Sequence, residues 1–466
     1  MNYPETIQYL ESFINYEKIP VWPYKESLKL ERIKGFLAII DNPQESLKCI
    51  HIAGTKGKGS TCAFVTYILR EAGFSVGLYT SPHLSDFRER IRILSLQSSA
   101  FSSQPAEVFE GMISEKGLTR QVEKLKPAIE GYNKKSSYGL LSFFEVYTAL
   151  AFTYFKEQKT DFVVLETGLG GRLDATNAVN SLVCAITPIS YEHTQKLGNT
   201  LAEIAGEKAG IIKNYRLSDI SYRPVVISAP QEPEAAEVIR KRCQEQKVKL
   251  YEVGKDIIYR IGKSQDLSVK GILDEYGDLK VRILGEHQLI NATVAIGVVE
   301  ALSAHKIKVK VDAIRKGLYN TIWPGRCEVI AQKPLIILDG AQNVASARVL
   351  KKAIRNNFSA TNRGGSDSDG KYKRLILVLG ISKDKDIKGI VRELYDLADT
   401  VILTKANNPR AAEPRVLAEG FKGKETYLTE SVLEAKKQAI KLAAEEDLIL
   451  VCGSLFVVGE YREKVL

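Results

Sequence analysis

The stretch Gly54-Thr55-Lys56-Gly57-Lys58-Gly59-Ser60-Thr61 follows an apolar run, Cys49 to Ala53, and precedes a helical pattern. A strand, a glycine-rich loop and a helix in that order make a phosphate-binding arrangement. Gly54, Gly57 and Gly59 let backbone N–H groups approach phosphate oxygens, and Lys58 supplies a point charge. Ser60 and Thr61 place hydroxyls where the positive helix N-terminus begins, with Thr55 in the same loop. The spacing departs from strict G-x-x-x-x-G-K-[ST], because Gly59 stands where the hydroxyl belongs. Taken by itself the segment therefore also fits a plain glycine turn.

A second segment with chemical content is Leu165-Glu166-Thr167-Gly168-Leu169-Gly170-Gly171-Arg172-Leu173-Asp174-Ala175-Thr176-Asn177, directly after the buried strand pattern Phe162 to Leu165. In open parallel sheets ligands sit at the carboxyl ends of strands, which is where Glu166 falls. A carboxylate opposite a phosphate loop suits Mg²⁺, a hard ion that takes one or two carboxylates and completes its shell with water and phosphate oxygens. The three glycines beside Glu166 predict a close approach to a ligand. His193, one of five histidines, closes Ile189-Ser190-Tyr191-Glu192-His193 at another strand's end. It is either a metal ligand or an ordinary packed histidine. Lys208, in the helix pattern Leu201 to Lys213, would by pattern alone be a solvated lysine. Ser81, in Ser81-Pro82-His83-Leu84, follows the strand ending at Tyr79 and brings a hydroxyl to the same edge, although a Ser-Pro turn explains it equally well.

Strands alternating with helices must position these groups. The pattern predicts a helix from Cys62 to Ala72 stopped by Gly73, a strand from Ser75 to Tyr79, and a helix from Phe143 to Gln158. It adds strands at Leu182 to Ile186 and Pro224 to Ile227, an antiparallel addition over Leu250 to Leu284, and a helix from Gln288 to Leu302. After Trp323 the alternation restarts, with strands at Leu335 to Leu338, Leu375 to Leu379, Thr400 to Leu403 and Leu448 to Cys452. The fold class is α/β: a phosphate-loop ATPase domain with a parallel sheet over residues 1–322, and a smaller Rossmann-like domain over 323–466. Two polar stretches, Ser95 to Pro105 and Ser359 to Lys373, are expected to be loops.

At 466 residues two domains are the natural division. No apolar run is long enough for a membrane span and the N-terminus lacks a signal-peptide pattern, so a cytoplasmic protein is expected. Six scattered cysteines without C-x-x-C spacing suit reduced, buried thiols. The formal charge of +10 is spread over helical stretches such as Arg240 to Arg242, interleaved with acids, which argues against a nucleic-acid face.

Taken together, the segments GTKGKGST, SPHL, FFE (Phe143 to Glu145), LETGLGGRLDATN, the run from His193 to Lys213, GEHQLINA, WPGRCE, LDGAQN and GSLFVVGE resemble the folylpolyglutamate synthase/dihydrofolate synthase family of the Mur ligase superfamily. They recur in order along nearly the whole chain. The resemblance implies an ATP-dependent ligase that adds L-glutamate to dihydropteroate, to the γ-carboxyl of reduced folates, or to both, through an acyl phosphate. It implies that Lys58 and its loop hold the ATP phosphates, and that Ser81 and Glu166 bind one Mg²⁺. His193 and Lys208 would hold a second, with Lys208 carbamylated; Lys58, Glu166, His193 and Lys208 are thus the expected catalytic set. Asn291, Arg326 and Asp339 match nucleotide positions, and Ser81, His83, Phe144, Gln342 and Ser454 are the implied substrate contacts. Closure of two domains on the nucleotide and a monomeric state are also implied.

One residue departs from the family pattern. Gln342 stands where D-G-A-H-N has histidine, and it can exchange hydrogen bonds but cannot shuttle a proton near neutrality. Two rival classes remain. A Mur-type UDP-muramoyl peptide ligase would carry a UDP-binding domain ahead of the phosphate loop, whereas 53 residues precede Gly54. A regulatory phosphate-loop ATPase would hydrolyse ATP without an amino acid.

Overall fold

The computed structural model describes every residue except Pro20, 97–108, 218–219, 263–265, 359–371 and 463–466. The predicted polar loops at 95–105 and 359–373 fall almost wholly outside the described residues. The chain divides into two compact units. The first comprises Met1–His83, Phe87–Arg282 and Gln288–Thr321; the second comprises Leu84–Asp86, Ile283–His287 and Ile322–Leu466.

The first unit is built on a seven-stranded sheet. In chain order its strands are β1 (Cys49–Ala53), β2 (Val76–Tyr79), β3 (Ile91–Leu94), β4 (Phe162–Glu166) and β5 (Ser181–Ile186). After the two-stranded β6 (Tyr215–Leu217) and β7 (Ile220–Tyr222) come β8 (Val225–Ser228) and β9 (Leu250–Glu252). The order across the sheet is β3-β2-β4-β1-β5-β8-β9. All neighbours run parallel except the edge pair β2–β3, so the expectation of a parallel sheet needs that one correction. The largely apolar β1, β4 and β5 are buried along their whole length, as strands covered on both faces must be.

Register decides where chemistry can gather. Ile52 pairs with Glu166, Ala53 with Ile186, and Tyr79 with Leu165, so β1, β2, β4 and β5 end at one level. Gly54, Ser81, Glu166 and Thr187 consequently share the sheet's carboxyl edge.

The helix after β1 spans Lys58–Glu71 and starts four residues before the predicted Cys62, which shortens the phosphate loop. It packs on the helix Val311–Asn320 so closely that a Cβ at Gly317 would lie 2.4 Å from the Ile68 Cα. The helix Phe143–Glu157 is set by a capping box in which Ser142 and Glu145 satisfy each other's backbone N–H groups. The predicted antiparallel addition is smaller than expected, because Leu250–Glu252 joins the main sheet as β9. Only β10 (Ile258–Ile261), β11 (Leu267–Lys270) and β12 (Glu275–Leu279) form the separate sheet. Glu300, in the helix Glu286–Ala301, moors it by accepting bonds from Ile272 N, Leu273 N, Asp274 N and Tyr276 Oη at 2.6–3.1 Å.

The second unit carries β13 (Glu328–Gln332), β14 (Leu335–Leu338), β15 (Leu375–Leu379), β16 (Thr400–Leu403), β17 (Glu425–Leu428) and β18 (Leu448–Cys452) in the order β13-β14-β18-β15-β16-β17. Only β13 is antiparallel. The edge strands β13 and β17 were not legible in the apolar pattern, since Glu, Gln and Thr interrupt them. All six cysteines are free and buried.

Candidate active site

The phosphate loop is drawn tight against neighbouring backbone. Gly54 has φ +149° and a Cβ there would fall 1.9 Å from Thr187 Oγ1. Gly57 has φ +84°, and its Cβ would fall 2.2 Å from Oδ1 of Asn291, so only glycine fits at either place. Asn291 is buried and donates from Nδ2 to Gln288 Oε1 at 3.0 Å, which puts this expected nucleotide residue directly against the loop. Lys58 Nζ donates back to Gly54 O at 3.2 Å. Lys208 Nζ donates to the same oxygen at 2.9 Å. Two lysine side chains on one carbonyl make a strongly electropositive spot that an anion relieves. Ser60 and Thr61 are buried in the first helical turn, and among the described residues Thr61 Oγ1 has no hydrogen-bond partner.

Glu166 is the last residue of β4 and not, as predicted, the first beyond it. Ser81 N donates to its Oε2 at 3.1 Å, so the structure brings these two expected metal residues together. The glycines that follow serve packing. A Cβ at Gly168 would meet the Phe144 ring at 2.8 Å, one at Gly170 the Tyr24 hydroxyl at 2.5 Å, and one at Gly171 the carbonyl oxygens of Glu207 and Lys208 at 2.9 Å. Where the sequence predicts a close approach to a ligand, these three contacts are with the protein itself. Asp174 closes this loop by accepting from Gly168 N, Leu169 N and Thr176 N at 2.9–3.0 Å and from the Thr176 hydroxyl, which His51 Nε2 approaches at 2.8 Å.

Lys208 departs most from its surface reading. The helix that carries it ends at Ala209, four residues short of the predicted Lys213, so Lys208 lies in the last turn against the glycine loop. Only 4% of it is exposed. Burial, with Lys58 nearby, lowers its amine from 10.5 to about 7. His193 is exposed, has φ +53°, and precedes the short helix Thr194–Leu197. Among the described residues no three His, Cys, Asp or Glu side chains converge as a metal cage.

The SPHL segment is fixed by an unforeseen chain: Glu17 receives two bonds from buried Arg90 at 2.6 and 2.9 Å, and Arg90 Nε donates to His83 Nδ1 at 2.9 Å. Burial and then Arg90 hold the His83 imidazole well below its usual pKa, so it is neutral. Of the FFE motif, Phe144 borders the glycine loop, whereas Glu145 is structural. It pairs with Arg32 at 2.8 Å, both side chains being about 5% exposed. Sequence reasoning missed Arg32, Arg90 and Glu17 because their partners lie far away in sequence.

In the second unit Asp339 follows β14 and accepts from Cys327 N and Ala341 N at 2.8 Å each. Burial raises its carboxyl pKa, opposed by Arg326 and these two donors. A Cβ at Gly340 would fall 2.6 Å from Arg326 Nη1, so the glycine leaves room for that side chain. Gln342 is half-buried, its N–H donating to Ser346 Oγ at 3.1 Å. Ser454, after β18, is buried, and Phe456 N donates to its Oγ. Because Leu338 pairs with Val451, Asp339 and Ser454 share one sheet edge. A cavity of about 1040 Å³ opens beyond β15, β16 and β17, bordered by Lys383, Asn407 and Lys405, the last bound to Glu413 and Glu430 at 3.0 Å each.

The donor set fits a nucleoside triphosphate with Mg²⁺. The Thr61 hydroxyl, unpartnered among the described residues, and the two lysine amines gathered at the Gly54 carbonyl call for phosphate oxygens. The Glu166–Ser81 pair offers the few hard oxygen donors that Mg²⁺ takes when phosphate and water supply the rest.

The sheet edge, its phosphate loop and the second α/β unit define an ATP-dependent ligase of the Mur type. The Mur ligase middle domain matches residues 133–299, and the Mur ligase glutamate ligase domain matches residues 325–455. The chain belongs to the dihydrofolate synthase/folylpolyglutamate synthase family. It is 31% identical to the Bacillus subtilis dihydrofolate synthase/folylpolyglutamate synthase over 94% of either chain. It is also 31% identical to the Escherichia coli protein of the same name, over 94% of this chain and 91% of that one. Mycobacterium tuberculosis folylpolyglutamate synthase complexed with ADP superposes with a TM-score of 0.83 at 28% identity, covering 99% of this chain and 98% of that chain. The E. coli enzyme in complex with DHPP and ADP gives 0.79 at 28% identity, over 98% and 96%.

Proposed function

We propose that this ligase performs both family reactions, adding L-glutamate to dihydropteroate and to the γ-carboxyl of reduced folates at the expense of ATP. The observation that carries the reading is the meeting, at one sheet edge, of the phosphate loop, the Glu166–Ser81 pair and the two lysines on Gly54 O. A carboxylate cannot acylate an amine directly, because oxide would have to leave. A carboxylate oxygen of the pteridine substrate therefore attacks the γ-phosphorus of ATP and ADP departs, leaving an acyl phosphate. The glutamate nitrogen then attacks that carbonyl carbon, phosphate leaves, and the nitrogen loses a proton.

Lys58 and the loop N–H groups orient the phosphates for in-line transfer and hold charge that builds on the equatorial oxygens. Ser81 and Glu166 would hold one Mg²⁺ and His193 with Lys208 a second; bound there, the ions neutralise phosphate charge. Lys208 suits a carbamate: burial lowers its amine to about 7 and so favours the neutral form, which adds to CO₂ with loss of a proton and turns a cation into an anionic oxygen donor. Asn291, Arg326 and Asp339 are assigned to the nucleotide. His83, Phe144, Gln342 and Ser454 are assigned to the acid and amino-acid substrates. Gln342 cannot take the proton of the amine, which goes to another base or to water. The protein acts, in this reading, as a cytoplasmic monomer on small molecules, without nucleic acid or membrane.

The test is product analysis by mass spectrometry with ATP, L-glutamate and either dihydropteroate or tetrahydrofolate. A mass increase of one glutamyl residue on both is expected from the wild type and on neither from Lys58→Ala. ATP hydrolysis indifferent to both acids and to glutamate would refute the reading.

A further inference from the structure

We propose that Lys56 and Glu192 are positioning residues, an ionic latch that moors the His193 segment to the phosphate loop and so sets how strongly Mg²⁺ contributes to nucleotide binding. The inference rests on the reading of His193 as a metal ligand given above.

Beyond the ends of β1 and β5 the two chains stay zipped together. Thr187 N donates to Ala53 O at 2.8 Å, and Thr55 N and Lys56 N donate to Pro188 O at 3.1 and 3.2 Å. The Thr55 hydroxyl donates to Ser190 O and accepts from Ser190 N, each at 3.2 Å. The zipper ends at the ion pair of Lys56 Nζ with Glu192 Oε2, 2.9 Å, with the lysine side chain 32% and the glutamate 15% exposed. The next residue is His193, whose φ of +53° lies in the left-handed region, uncommon for any residue but glycine. A backbone held there depends on its surroundings to keep it there. Past the bonds at Ser190, the Lys56–Glu192 pair ties the phosphate loop to the residue directly before the histidine. Lys56 is itself two residues from Lys58, and the latch therefore joins the side that meets phosphate to the side that presents the imidazole.

A latch and a merely structural ion pair differ in one measurable ratio, the affinity for ADP with Mg²⁺ divided by that without it, read by titration calorimetry. Lys56→Met and Glu192→Gln should each lower the ratio about five-fold, and the double variant should lower it no further, since removing either partner already opens the pair. Far-UV circular dichroism and thermal midpoints identify folded variants, and Glu192→Gln, which keeps size and one hydrogen bond, guards against a collapsed Lys56 variant. An unchanged ratio in both single variants, equal weakening with and without Mg²⁺, or losses that multiply in the double variant would overturn the proposal. His193→Ala separates the two levels. If it leaves the ratio untouched, the metal reading of His193 fails; if it lowers the ratio while the latch variants do not, only the latch fails.

Discussion

Replacing Lys208 by methionine should make the protein more stable and inactive. Its amine is buried and lowered from 10.5 to about 7. Because the folded pKa lies below the unfolded one, the unfolded chain binds more protons between those values, and the contribution of Lys208 to stability improves as pH rises. At about 1.4 kcal/mol per pKa unit, keeping a lysine there costs about 4 kcal/mol at pH 7, about 2 kcal/mol at pH 9 and almost nothing above the unfolded pKa. Against this, methionine forfeits the bond to Gly54 O, worth about 1 kcal/mol, although Lys58 still donates to that oxygen. The variant should therefore gain about 3 kcal/mol at pH 7 and about 1 kcal/mol at pH 9. Urea unfolding at a series of pH values measures this. A Trp323→Phe background leaves Trp22 as sole tryptophan, in the same unit as Lys208. Buffers must be stripped of CO₂, since a carbamate would abolish the titration. A methionine variant less stable than its parent at pH 7, or a difference that does not change between pH 7 and 9, would refute the reasoning.

Gly171→Ala should cost about 1–3 kcal/mol and at least about ten-fold in kcat, because its Cβ would press on the carbonyls of Glu207 and Lys208 at 2.9 Å and displace Lys208. Gly206→Ala, exposed inside the helix that carries Lys208 with nothing within 4 Å, is the control and should leave the steady-state rate unchanged while gaining about 0.5–1 kcal/mol of stability from helix propensity. Glu145→Gln should lower stability by about 3–5 kcal/mol, since it leaves the Arg32 guanidinium buried without its anion, while the KM for ATP of the folded fraction stays the same. Thermal unfolding with parallel kinetics checks it.

The sheet framework was legible because β1, β4, β5, β15, β16 and β18 are buried along their length and therefore appear as predominantly apolar runs. Glu166, Ser81 and the phosphate loop could be placed at one edge from strand ends alone. Edge strands such as β13 and β17 touch the core on fewer sides, tolerate polar residues, and lose that signature. Lys208 looked like a surface lysine because its neighbours, the Gly54 carbonyl that its amine meets and Gly171 that lets the helix end approach, are distant in sequence. The glycines after Glu166 were visible as a need for close approach, but the pattern could not say whether a ligand or the protein itself would do the approaching. Glu145 and Arg32 illustrate the same limit: each charge sits in an ordinary helix, and only the fold shows that they meet away from water.

Four of the six cysteines lie in the first unit and two, Cys327 and Cys452, in the second, all of them shielded. Burial pushes the Cys184 thiol up to about 11 and that of Cys243 to about 12, so neither yields a nucleophilic thiolate until the surrounding structure opens. An alkylating reagent added to the intact enzyme thus becomes a clock with two hands. Peptide mapping of the modified sites over time would report how often each unit breathes, and whether a bound nucleotide slows one, the other or both.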